Sequence, residues 1–206
     1  MPNNKDLTYL SVLHLNIQSM SNKLLDIDLV LKSRVKNIDV LCFTEHWIKE
    51  DYLNSIQLDQ YKLVSYFGRN KYNHGGACIY VKNSICTKDV NCLQGISIEK
   101  DFEIAISELV TYGYVIACIY RSPNGDFRVF LKNLEFVIQK IQSNKKKKLL
   151  LCGDWNINFL IDNIRLQELK NLLESYDLIN TVRCPTRITS STESLIDVII
   201  TEKIQN

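Results

Sequence analysis

Apolar residues along this chain follow two rhythms, and the switches between them mark out its elements. Residues 9–18, YLSVLHLNIQ, alternate and then turn polar, which predicts a strand. Behind Ser21, a residue able to cap a helix, Leu24, Ile27, Leu31 and Val35 recur at helical spacing. DVLCFTEHW then reads as a buried strand ending at Thr44 and Glu45. YKLVSYF and ACIYVK flank a glycine-bearing loop, GRNKYNHGG, and predict a strand–loop–strand unit. FEIAISELV and YVIACIYR predict a second hairpin. From Asp126 the period lengthens, and Phe127, Phe130, Leu131, Leu134, Ile138 and Ile141 mark an amphipathic helix. LLLCG predicts a further strand, Leu166, Leu169, Leu172 and Leu173 a shorter helix, and SLIDVII a last strand holding Asp197.

Many strands, joined by hairpins rather than regular strand–helix–strand repeats, imply an α+β layered sandwich with sheets buried between helices. No repeat or linker divides the 206 residues, so a single domain spanning 1–206 is expected. Hydrophobic residues make up 46% of the chain, enough for a sizeable core.

Composition removes several function classes. The net charge of +2 imposes no global demand for nucleic acid, though a local basic surface stays open. No apolar run reaches the roughly 18 residues that span a bilayer, so no membrane partner is expected. The polar start MPNNKDL has no signal-like apolar segment, which favours an intracellular setting. Seven cysteines, an odd number without a C-x-x-C pair, argue against a disulfide scaffold or zinc site. Cys42, Cys78, Cys118 and Cys152 sit in apolar runs, where a thiol packs as a small hydrophobe.

Polar residues collect at predicted strand ends: Asn16, Glu45, Tyr120 with Arg121, and Asp154 with Asn156. Taken singly, such residues are ordinary turn formers. Asp197 differs, because a carboxylate among Leu195, Ile196, Val198 and Ile199 needs a partner or a task.

Five blocks, LHLNIQS, LCFTEHW, IACIYRSPN, LLLCGDWNIN and SLIDVII, follow the order and spacing of a known family. Across residues 10–200 the chain resembles the endonuclease/exonuclease/phosphatase superfamily, and within it the apurinic-endonuclease-like domains of non-LTR retrotransposons. The resemblance implies a four-layer α/β sandwich, two packed and mostly antiparallel sheets flanked by helices. It also implies Mg²⁺-dependent hydrolysis of DNA phosphodiesters, with Mn²⁺ as a possible substitute. Glu45 and Asn16 would be the metal ligands. Asp154 would orient or deprotonate water, Asn156 and Tyr120 would donate to the phosphate, and Asp197 would complete the catalytic set. Arg121, Arg187 and Ser194 would contact DNA. A reverse transcriptase domain downstream and action in the nucleus are further implications.

The chain departs from the family in one respect. The S-D-H block, whose histidine pairs with the aspartate at position 197, has no counterpart before TEKIQN. A domain lacking its last strand or strands, with weak or no activity, is therefore expected. His14 reads as a core or edge residue, His46 as a neighbour of the site, and His74 as a surface residue. Arg69, Lys71 and Tyr72 offer cations and an aromatic ring to a DNA backbone. The run from Lys145 to Lys148 reads as a solvated loop rather than a nuclear signal. Two competing functions remain: a phosphatase acting on phosphoinositides or another small phosphoester, and a non-catalytic remnant that at most binds nucleic acid.

Overall fold

A computed structural model describes residues 9–33 and 38–203. Val35, assigned by spacing to the first helix, lies outside them. In chain order the elements are β1 (Val12–Asn16), α1 (Leu24–Ser33), β2 (Val40–Thr44), α2 (Glu50–Leu53), β3 (Tyr61–Phe67), β4 (Ala77–Lys82), β5 (Thr87–Asp89), β6 (Glu103–Leu109), β7 (Tyr114–Tyr120), α3 (Phe127–Gln142), β8 (Lys148–Asp154), α4 (Ile164–Ser175), β9 (Leu178–Asn180), β10 (Arg187–Ile188), β11 (Glu193–Ser194) and β12 (Asp197–Glu202).

Two sheets carry the fold. The first runs β1-β2-β4-β3 and the second β5-β6-β7-β8-β12-β9. Most pairs are antiparallel, but β1–β2 and β7–β8 are parallel. Between the sheets, Val40, Cys42, Ile79 and Val81 of the first meet Ala105, Ile116, Cys118 and Cys152 of the second. On the outer face of the first sheet, Phe43, Cys78 and Tyr80 pack with Ile27 of α1 and Leu53 of α2. On that of the second, Val115, Ala117 and Leu151 pack with Phe130, Leu134 and Ile138 of α3 and Leu166 and Leu169 of α4. The result is the expected sandwich: helices, sheet, sheet, helices. Among the described residues β1 has a partner on one side only.

The helices start where local chemistry allows. Asp126 caps α3, its carboxylate accepting from the N–H groups of Arg128 (2.7 Å) and Val129 (3.1 Å). Asn163 does the same for α4 through Leu166 N–H at 3.0 Å. Ser21 does not cap α1. It lies inside a 3₁₀ turn, Met20–Asn22, because the chain leaving β1 reverses through left-handed residues at Gln18 and Ser19 before burying Met20. The short strands β5, β9, β10 and β11 escaped the sequence pattern, since two or three residues carry no readable period. The lysine run forms the turn between α3 and β8, and Lys147 pairs with Glu108 there at 2.5 Å.

One buried ion pair ties the β3–β4 loop to the second sheet. Arg69, expected at the surface, is 7% exposed and Glu103 is fully buried. Arg69 Nε donates to Glu103 Oε1 at 2.5 Å and its Nη2 to Ser122 Oγ at 2.6 Å. Glu103 Oε2 also accepts from Gly76 N–H at 2.6 Å. Burial pushes the Glu103 carboxyl up, while Arg69 and two backbone N–H groups pull it down, leaving a net rise. Removing one member strands the other charge in the interior. Glu103→Ala is expected to cost about 3–5 kcal/mol in urea unfolding, and the double variant Arg69→Met/Glu103→Met much less. Equal losses in the two would show that the pair does not act as a unit.

Candidate active site where the two sheets meet

Strand directions bring the polar ends together. β1, β2, β7 and β8 all finish at the same edge of the sandwich, and β12 begins there, with Asp197 paired to Asp154. Asp197 is thus the first residue of its strand rather than an interior one. Asn16, Glu45, Tyr120, Asp154 and Asp197 converge at this edge.

The turn after β8 is shaped by three side chains. Gly153 lies against β7, and a Cβ there would meet the Ile119 carbonyl oxygen at 1.8 Å, so no side chain fits. Trp155 is fully buried and packs edge-on against Phe130 of α3, with centroids 5.4 Å apart. Asp154, before it, faces the site, while the Asn156 amide donates to the Arg121 carbonyl. Asn156 takes a left-handed conformation at φ 50°, which asparagine tolerates better than most residues.

Hydrogen bonds fix the acids. Asn16 Nδ2 donates to Glu45 Oε1 at 2.9 Å and to Asp154 Oδ2 at 2.6 Å. Asn156 N–H donates to Asp154 Oδ1 at 3.0 Å, and Trp47 Nε1 to Glu45 Oε2 at 3.1 Å. Two oxygens have no such partner: Asn16 Oδ1 and Asp197 Oδ1, both buried. Burial, then the neighbouring Asp197, raise Asp154 to about 7. Burial, then Glu45, hold the Tyr120 phenol well above its ordinary range, so it stays a proton donor.

The unpartnered Asn16 oxygen beside the Glu45 carboxylate is a donor set of the kind Mg²⁺ takes, hard oxygens with few protein contacts. The residues therefore fit the ion that the resemblance implies.

Arg121 is not available to DNA. It is 2% exposed, and its guanidinium donates to the carbonyls of Trp155 (3.2 Å) and Gly125 (2.7 Å). Its own carbonyl accepts from Asn156 Nδ2 at 2.8 Å. The residue pins the turn that carries Asp154 and Asn156, and the DNA-contact expectation is corrected accordingly. Arg187 and Ser194 face each other in the β10–β11 hairpin, with Arg187 exposed. Thr186, next to Arg187, accepts from Asp197 N–H at 3.1 Å and so joins the hairpin to the site.

All three histidines are placed by the geometry. His14 lies on β1 two residues before Asn16, hence on the same face, with Nδ1 3.8 Å from Asp197 Oδ1. Strand alternation alone would have located it. His46 is fully buried and does not line the site. Its Nε2 lies 2.9 Å from the Phe67 carbonyl and its Nδ1 accepts from Ile48 N–H at 3.0 Å. Burial lowers it to about 4, leaving a neutral latch. His74 is exposed and stacks on Trp47.

With this geometry in place, the chain can be set beside known proteins. Residues 114–205 match the sequence model of a family described as endonuclease-reverse transcriptase. No curated protein matches the chain. Among solved structures it is similar to the endonuclease domain of TRAS1, a telomere-specific non-LTR retrotransposon. The two share 16% identity over 94% of this chain and 85% of that one, with a TM-score of 0.67. It is likewise similar to a variant of the 3′ phosphatase NExo from Neisseria bound to a product DNA hairpin, at 15% identity, 94% and 87% coverage and a TM-score of 0.71. The catalytic domain of Xenopus laevis APE2 gives 16% identity, 93% and 82% coverage and a TM-score of 0.66. These likenesses show the fold, two packed sheets flanked by helices, and the family match over residues 114–205 agrees with the blocks that lie there.

The raised Asp154 value has a consequence for stability. A carboxyl whose folded value, about 7, exceeds its unfolded value of about 4 favours the fold in its neutral form. That contribution is complete below about pH 4 and is lost as pH rises through about 7. Without metal, Asp154→Asn is therefore expected to be more stable than the parent at pH 8, by an amount on the order of 4 kcal/mol at most. The difference should shrink as pH falls toward 4. Urea unfolding in EDTA at both pH values measures it, and a pH-independent difference would refute the assignment.

Proposed function

We propose that the chain is a Mg²⁺-dependent DNA endonuclease of retrotransposon type, nicking target DNA to leave a 3′-hydroxyl for reverse transcription. The observation that carries this reading is the Asn16 amide, which bridges carboxylates from two sheets and leaves its own oxygen free. Glu45 and Asn16 would hold the ion. Bound there, it would act as a Lewis acid on the phosphate.

The chain's own residues supply the rest. Asp154 accepts a proton from the attacking water, and a value near 7 makes it a stronger base than an ordinary carboxylate while leaving about half of it ionised at neutral pH. Its two oxygens are held by Asn16 and Asn156, so the carboxylate is aimed before substrate arrives. The water oxygen bonds to phosphorus as the bond to the 3′ oxygen breaks, and that oxygen takes a proton from solvent water to leave as the 3′-hydroxyl. Tyr120 donates its phenol proton in a hydrogen bond to a phosphate oxygen as charge builds there. Asp197, beside it, adds to the rise in the proton affinity of Asp154 that burial causes.

A reverse transcriptase of the same element is the partner this reading calls for, with the nucleus as the place of action. The test is relaxation of supercoiled plasmid in Mg²⁺. The parent chain should nick it, EDTA should stop it, and Glu45→Ala and Asp154→Asn should each be about 10²–10⁴-fold slower. Plasmid left intact beside rapid release of phosphate from p-nitrophenyl phosphate would replace this reading with the phosphatase one.

A further inference from the structure

Beside Glu45 the surface carries an aromatic pair whose ring faces the catalytic geometry leaves unused. Trp47 is 38% exposed and its ring lies 4.3 Å from that of His74, tilted by 37°. A groove of about 270 Å³ runs along the pair, bordered by Ser19, Lys49, Tyr72 and Asn73.

Two exposed rings in contact would mean little on a flexible loop, but this loop is anchored at several points. Glu99 accepts from the N–H groups of Asn70, Lys71 and Tyr72, each at 2.9 Å. Arg69 Nη1 holds the Asn73 carbonyl at 3.1 Å, and Trp47 N–H donates to the Gly75 carbonyl at 3.0 Å. Trp47 Nε1 fixes the indole edge to Glu45. The backbone is also strained at Trp47, φ 59°, a region bulky residues avoid, and His74 shares the left-handed conformation at φ 65°. Strain of this kind persists only where surrounding structure enforces it, and it gathers at binding and catalytic sites.

The surroundings select the ligand. Lys49 and Lys71 are exposed nearby, and Lys100 Nζ sits 3.3 Å above the Tyr72 ring centroid. Aromatic faces interleaved with cations, next to a phosphodiester-binding edge, suit a single nucleic-acid strand: bases stack and phosphates meet ammonium groups. A preorganised stack loses little freedom on binding.

We infer that Trp47 and His74 form a stacking platform for a nucleobase of the DNA strand entering the site. The inference rests on the endonuclease reading and adds an unpaired base beside the cut. It predicts that this base must leave its duplex, so distorted or single-stranded sites bind better at this position.

The chain contains two tryptophans, and Trp155 is buried, so Trp47 is the exposed reporter. The experiment titrates a single-stranded 20-nucleotide DNA and its duplex into the full chain in Ca²⁺, following indole emission and, independently, fluorescence anisotropy of labelled DNA. Stacking predicts quenched emission, a quench lost in Trp47→Phe, and binding weakened about 5- to 150-fold in His74→Asn, an asparagine being tolerant of the left-handed backbone. Circular dichroism of each variant verifies folding. Anisotropy showing tight binding, with Trp47 emission unchanged and His74→Asn equal to the parent, would overturn the platform while leaving the endonuclease reading intact. No DNA binding by either readout would overturn both.

Discussion

Everything at the site hangs on one amide. Asn16, at the end of β1, gives one Nδ2 hydrogen to Glu45 from its own sheet and the other to Asp154 from the opposite sheet. The bridge forms only if the sheets approach closely and in register. The layer between them is built for that, because Cys42, Ala77, Ala105, Cys118 and Cys152 supply small side chains among the valines and isoleucines. The Sγ atoms of Cys42, Cys118 and Cys152 lie within 4.8 Å of one another. In such a layer a thiol fills less volume than a leucine and forfeits little hydrophobic stabilisation. The cysteines thus bear on function through spacing: they let the amide reach both acids.

Assembling three carboxylates at one edge of the sandwich works against stability. Asp154 and Asp197 are cross-strand neighbours, and like charges directly opposite repel. The backbone adds to the cost with left-handed residues at Glu45, Trp47 and Asn156. Two large apolar layers, one on each face of the second sheet, make this tolerable. The deeply buried Arg69–Glu103 pair meanwhile holds the neighbouring loop without giving it freedom to relax. Locally unfavourable choices gathered at one edge of an otherwise consistent fold are the signature of a functional site.

Much of this was legible in the sequence, for identifiable reasons. Buried strands such as LLLCG and ACIYVK announce themselves because both faces are apolar, and α3 because its period is clean and Asp126 caps it. Glu45 and Asp154 were legible because each sits where such a strand closes, whereas Asp197 opens one. What stayed hidden was partnership. A cation in a polar loop reads as a surface group, yet Arg69 meets Glu103 34 residues away and Arg121 holds carbonyls 34 residues ahead of it. Only tertiary structure supplies those partners. His46 was hidden for a related reason, since its neighbour Gly76 belongs to another strand's end, where any Cβ would strike the imidazole.

The segment 45–47 ties the candidate ion site to the exposed aromatic pair. In a regular strand Glu45 and Trp47 would share one face and His46 the other. Left-handed conformations at Glu45 and Trp47 break that alternation and send three side chains in three directions. The carboxylate goes to the site, the imidazole into the interior against the Phe67 carbonyl, and the indole to the surface. Because Trp47 Nε1 returns to Glu45 Oε2, a force on the indole is felt by the carboxylate through one hydrogen bond. A base stacked on Trp47 and an ion held by Glu45 would therefore stiffen the same three residues. Each would lose less freedom once the other is bound, which makes their binding mutually favourable without any change of fold.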